Sequence, residues 1–158
     1  MDEKTLNAIV KTVAEQFAPL DDITLAAARR LSEQVRERAK SMGVNAVVAV
    51  SDKAARPVVV ECMDDSFIAS YDIALNKSYT VSALKMSTSD LKKLAQPGGS
   101  LYGIQFTNEG KIVIFGGGEP LYNRDGKLIG GLGVSGGTEE QDTALAKYGR
   151  ELFEKAGY

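Results

Sequence analysis

Apolar positions in the first part of the chain recur at three- and four-residue intervals. Leu6, Ile9, Val10, Val13 and Phe17 fall on one helical face, and Pro19 stops that element. A second helix, capped by Asp21 or Asp22, runs through Met42, with Leu25, Ala28, Ser32, Val35, Ala39 and Met42 on one side. Arg29, Glu33, Arg36, Glu37 and Lys40 lie away from that side, as a solvated face requires. Gly43 suits the C-terminal cap.

The pattern then shortens to that of strands. Val44–Val50 and Pro57–Cys62 are β-branched runs around the polar segment 52–56, which predicts a hairpin. Phe67, Tyr71, Ala74, Val81 and Leu84 restore helical spacing and predict a helix over 67–86, capped near Asp65 or Ser66. A shorter helix over 89–95 ends at Pro97-Gly98-Gly99. Leu101–Thr107 and Lys111–Phe115 flank Asn108-Glu109-Gly110, a hairpin signal. Leu121-Tyr122 and Lys127–Val134 flank Asn123–Gly126, a second one. Thr138 and Gln141 form a capping box for a last helix reaching Phe153. Helices grouped around meandering strands predict an α+β domain: a five-stranded antiparallel sheet flanked by helices.

Composition narrows the chemistry. The 158 residues suit one domain, and a net charge of −2 argues against a nucleic-acid partner. No apolar run is long enough for a membrane span. The single Cys62 excludes an internal disulfide and fits a cytoplasmic setting. In an apolar strand beside Met63 and without a base to activate it, Cys62 reads as a buried structural thiol. The chain contains no histidine, which removes imidazole base catalysis, Ser-His and Cys-His nucleophiles and histidine-ligated haem. With one cysteine as well, a zinc site has no ligands to build on.

The glycines concentrate between Gly116 and Gly137, at the ends of predicted strands. Gly131-Leu-Gly133-Val-Ser-Gly136 spells a dinucleotide fingerprint, but the chain closes with one helix. A Rossmann unit needs a further parallel strand and an acidic residue. The glycines therefore read as a hairpin packed tightly against a helix, or as backbone offered to a ligand.

Several blocks together resemble the GlcG/HbpS-like haem-degrading-domain family, which includes the C-terminal domain of PduO-type cobalamin adenosyltransferases. They are Met63-Asp64, Asn76-Lys77 with Thr80, Gly116-Gly-Gly-Glu-Pro120, Asp125-Gly126, Ile129–Gly136 and Asp142, within residues 22–152. The resemblance implies a profilin-like or PAS-like fold over one domain, residues 1–158, with an N-terminal helix (about 1–18) preceding the family core. It also implies oligomeric assembly and haem or related tetrapyrrole binding. Two departures stand out. Ala55 occupies the place where the family often has the glycine of Asp-x-x-Gly, and the histidine that some haem-binding members use as ligand is missing.

The candidate ligand-binding residues are Lys77, Thr80, Gly116, Gly117, Gly118, Ser135, Gly136, Gly137 and Asp142. Lys77 either meets a ligand carboxylate or is a solvent-facing helix lysine. The Gly136-Gly137 amides precede a helix, an anion-binding arrangement. Glu139 and Glu140 in the first turn argue against phosphate there. Asp142 either bonds the glycine backbone or takes part in chemistry. Tyr71, Met42, Met63 and Met86 are conceivable iron ligands at core-like spacing. No acid–base pair with defined spacing is visible, so no catalytic residue and no metal ligand is assigned. The expected function is a non-catalytic, oligomeric small-molecule-binding accessory protein of cobalamin-linked, propanediol-utilisation-type metabolism. Its cofactor would be haem held without histidine, and its partners microcompartment or adenosyltransferase proteins. The alternative is a small enzyme acting on an organic acid or tetrapyrrole through Lys77 and Asp142.

Overall fold

The structure, a computed structural model, describes residues 1–158 except Phe17 and the side chain of Gln16. The element order is α1 (Glu3–Gln16), α2 (Leu25–Ser41), β1 (Val47–Asp52), β2 (Pro57–Cys62), α3 (Ile68–Leu84), α4 (Thr88–Leu94), β3 (Gly118–Tyr122), β4 (Leu128–Ser135) and α5 (Glu139–Ala156). The α+β expectation holds, but the sheet has four strands in the order β2-β1-β4-β3, antiparallel throughout. Both hairpins around residues 52–56 and 123–126 form.

The missing strands are the predicted pair at 101–107 and 111–115. That stretch instead makes two short 3-10 turns, Ile104–Phe106 and Asn108–Gly110. Gly103, Asn108, Glu109 and Gly110 all take positive φ, which curls the chain out of an extended path. The apolar pattern was real, because Ile112 and Val113 are buried, but it serves a loop. Thr80 pins that loop: its hydroxyl donates to the Asn76 carbonyl at 2.7 Å and accepts the Val113 N–H at 3.0 Å.

Helices form where periodicity places them, with shifted caps. Thr24, not Asp21 or Asp22, caps α2 by accepting the Ala27 N–H at 3.2 Å. Asp22 instead accepts the Ile23 and Lys53 amides and ties the helix start to the β1–β2 turn. Leu25 is exposed, and α2 buries Ala27, Ala28, Leu31, Ser32, Val35 and Ala39. Neither Asp65 nor Ser66 caps α3; Phe67 holds that position with no side-chain bond. The Thr138–Gln141 capping box on α5 is present in full. Described side chains of α1 are all exposed, and Phe17, expected on its apolar face, lies outside the described residues.

Three layers result. α2 and α5 cover one face of the sheet over the main core, which includes Leu31, Val35, Val48, Val50, Leu121, Leu132, Leu145 and Phe153. Each fully buried Val or Leu of this kind contributes roughly 1.5–3 kcal/mol. α3 covers the other face, where Val47, Ala49 and Ala74 form a much smaller cluster. The glycines of β4 explain the difference. A Cβ on Gly133 would run into the Ala74 carbonyl oxygen, and one on Gly131 would meet the Ser78 carbonyl and Val81. α3 therefore docks on bare backbone. Of the two readings of the fingerprint glycines, hairpin-on-helix packing is the one found.

Candidate functional site

The buried face of α3 carries an ammonium near its middle. Lys77 is fully buried, so the solvent-facing reading is set aside. Its Nζ donates to the Val134 carbonyl of β4 at 2.7 Å and to the Asp142 carboxylate of α5 at 3.1 Å. Burial pushes the Lys77 amine below its ordinary range, and the facing Asp142 carboxylate partly restores it. Burial likewise pushes Asp142 above the ordinary carboxylate range, against the pull of Lys77.

The glycine segments close over this pair. Gly117 has φ +111, and a Cβ there would lie 2.5 Å from the Lys77 Nζ and 2.9 Å from the Asp142 Cβ, so only glycine fits. The Gly117 carbonyl accepts the Val134 N–H at 2.8 Å. The neighbouring amides are engaged within the chain: Gly116 donates to Glu139 at 2.9 Å, Gly118 to Thr88 at 2.9 Å and Gly137 to Asp142 at 2.9 Å. Ser135 pairs its hydroxyl with that of Ser70 at 3.1 Å. Gly136 packs against the Asn45 carbonyl. Lys77, Asp142, Gly116–Gly118 and Gly137 thus come together at one corner. Thr80 turns instead to the 111–113 loop.

Sequence reasoning missed the cover of this corner. The Phe115 ring lies 5.1 Å from the Lys77 Nζ, in cation–π range, and stands 38% exposed. Its position directly before three glycines was the available signal. Glu139 and Thr88 were also missed; Glu139 further bonds Lys92 at 2.6 Å, linking the corner to the surface. Chemically, the corner is a pre-paired ammonium under a single aromatic cover. Lys77 is closed to outside anions in this arrangement, enclosed by Gly117, the Val134 carbonyl, Asp142 and the Phe115 ring.

Of the other candidates, Cys62 is exposed, contrary to the buried-thiol expectation, because β2 is an edge strand and Cys62 ends it facing out. Tyr71 is exposed and Met63 half-buried against the main core. No helix among the described residues is long and apolar enough to cross a membrane.

These features define an α+β domain in which one helix packs on a glycine-rich strand and buries a lysine beneath a glycine loop. Residues 23–151 match the family described as haem degrading protein HbpS-like, and the chain belongs to it. It is 46% identical over 131 residues to a 15.0 kDa protein of Citrobacter freundii from the dhaT-dhaS intergenic region, covering 83% of this chain and 92% of that one. It is 41% identical over 135 residues to the corrinoid adenosyltransferase PduO of Salmonella typhimurium, covering 85% of this chain but spanning 38% of that protein's length. Among solved structures, protein ORFY of Klebsiella pneumoniae superposes with a TM-score of 0.80 at 42% identity, covering 84% of this chain and 90% of that one. A PduOC:haem complex superposes with a TM-score of 0.79 at 38% identity, covering 82% and 94%.

Proposed function

We propose that this chain is a non-catalytic, oligomeric accessory protein that binds haem or a related tetrapyrrole or corrinoid. It would work in the cytoplasm in cobalamin-dependent metabolism of the propanediol-utilisation type, beside adenosyltransferase or microcompartment proteins. Residues 1–158 would act as one domain of the profilin-like, PAS-like kind, with the helix over residues 1–18 standing ahead of the family core. The observation that carries the reading is the likeness to the PduOC:haem complex. The relationship to corrinoid adenosyltransferases supports the metabolic setting.

The donor chemistry is compatible with haem, but not with imidazole ligation, since the chain has no histidine. Tyr71 and Cys62 are exposed and Met63 is half-buried, so phenolate, thiolate and thioether donors are within reach of the surface. Lys77 would meet a propionate of the bound group once Phe115 moves. Gly116–Gly118, Gly137 and Asp142 would shape the wall behind it, while Thr80, Ser135 and Gly136 would brace the segments around it. The haem iron supplies the redox and ligand-exchange chemistry when bound.

The test is a hemin titration followed by absorbance. A saturable complex is expected, with a spectrum unlike bis-histidine iron. The Lys77→Arg variant keeps the charge and should bind; Lys77→Met should bind about tenfold or more weakly, the scale of one charged hydrogen bond. Failure to saturate, or equal binding by Lys77→Met, overturns the haem assignment or the role of Lys77 respectively.

A further inference from the structure

On the opposite face of the sheet from Lys77, a cleft opens between the first turns of α2 and the last turns of α5. Its volume is about 230 Å³. Leu31 and Phe153, each 2% exposed, form the inner wall. Tyr158 closes one side: Gly157 takes φ +70 and turns the chain back, so that the Tyr158 ring lies 4.7 Å from that of Phe153. The Arg124 N–H donates to the Tyr158 carbonyl at 2.8 Å and holds it there. Arg30, Gln34 and Lys155 form the rim. Neither rim cation enters an ion pair among the described residues, whereas Arg150, earlier on α5, is taken up by Glu119 and Glu154.

We propose that this cleft binds a small organic monocarboxylate with a short apolar tail. A guanidinium presents a planar fork that matches a carboxylate through two parallel hydrogen bonds, and the lysine adds a second positive charge. Gln34 supplies a neutral amide donor beside them. The apolar wall takes the tail. The volume lies below the roughly 300 Å³ at which sites for drug-sized ligands begin, which restricts the guest to a compact molecule. Asp142 opens α5 and Phe153 lies near its end, about 16 Å further along the helix axis, which separates this site from the Lys77 corner.

The experiment is a titration of the full chain with hexanoate, followed by proton–nitrogen correlation NMR, with 1-hexanol as the neutral comparator. Hexanoate should shift the amides of Ala27, Leu31 and Phe153 saturably, and hexanol should bind about tenfold or more weakly. Arg30→Ala and Lys155→Ala change exposed side chains and should keep the wild-type melting temperature while weakening hexanoate by a similar factor. Equal affinity for hexanol, unchanged binding in both variants, shifts on α1 instead of the cleft, or a response that never saturates would each overturn the proposal. Hemin binding has no bearing on this outcome, so the two readings fail separately.

Discussion

Replacing Lys77 by methionine tests the buried corner most directly. The variant keeps the length and apolar stem of the side chain but removes the charge. Asp142, 4% exposed, is then left without its cation. Breaking a buried pair by removing one partner costs about 3–5 kcal/mol, because the remaining charge stays desolvated. Against a typical total stability of about 5–15 kcal/mol this is a large loss. For a chain of 158 residues it corresponds to a fall in melting temperature of roughly 6–20 °C. Asp142 can escape by taking a proton. Its folded-state pKa is already raised by burial, so the folded state holds more protons than the unfolded state between the two pKa values. Its carboxyl therefore favours folding more as pH falls, and the penalty of Lys77→Met should shrink in acid. The second arm is the double variant Lys77→Met/Asp142→Asn. Asparagine removes the charge yet keeps an oxygen for the Gly137 N–H, so most of the lost stability should return. Urea unfolding followed by circular dichroism reads all three proteins. A single variant within about 1 kcal/mol of wild type, or a double variant no better than the single, refutes the reasoning.

Other expectations follow from the same geometry. Ala55 sits at φ +62, where a Cβ costs about 1–2 kcal/mol; allowing for the extra freedom glycine has when unfolded, Ala55→Gly should stabilise by about 0.5–1 kcal/mol. A lower urea midpoint for that variant would count against the turn as described. Gly133→Ala should cost about 1–3 kcal/mol or more by lifting α3 off the sheet. Gly126→Ala, at an open position with φ +77, should cost only about 1 kcal/mol, and equal losses would show that helix docking is not what Gly133 serves. The Glu139 pKa is held below its ordinary 4.5, first by the Gly116 N–H and then by Lys92. That contribution is present above pH 4.5 and is lost as pH falls through the folded-state value. Glu139→Gln should therefore flatten the acid limb of the stability profile, measured as urea midpoint against pH.

Helices and hairpins were legible in the sequence because each rests on local chemistry. Thr138 and Gln141 identify their own helix start, and Asn123–Gly126 its own turn. The 101–115 segment was misread because Lys111–Phe115 is a short, β-branched apolar run of the kind strands use, yet it joins no strand of the sheet. Its amides bond mostly within local turns, and Val113 donates to Thr80, 33 residues away. The Lys77 corner was half legible. The family likeness singled out Lys77 and Asp142, but spacing cannot show that 65 residues apart they meet without water. The role of Phe115 escaped for the same reason: its partner is an ammonium on another element. Ala55 is the converse case, since the departure from glycine was visible and the structure shows the strained backbone it leaves.

The bare surface of β4 has a consequence for how this protein can change over time. Most buried side chains sit in a mosaic of neighbours, and a substitution in one is absorbed by small moves of the rest. α3 rests on main chain, which has a fixed contour and nothing to repack. The depth of the Lys77 stem is therefore gauged by the peptide backbone on both sides, from Ala74 and Ser78 above to Gly131 and Gly133 below. Residues of the α2–α5 layer other than Asp142 do not contact the ammonium and can drift in size more freely. The tuning of the corner falls to the few positions that touch it: Phe115, Gly117, Val134 and Asp142.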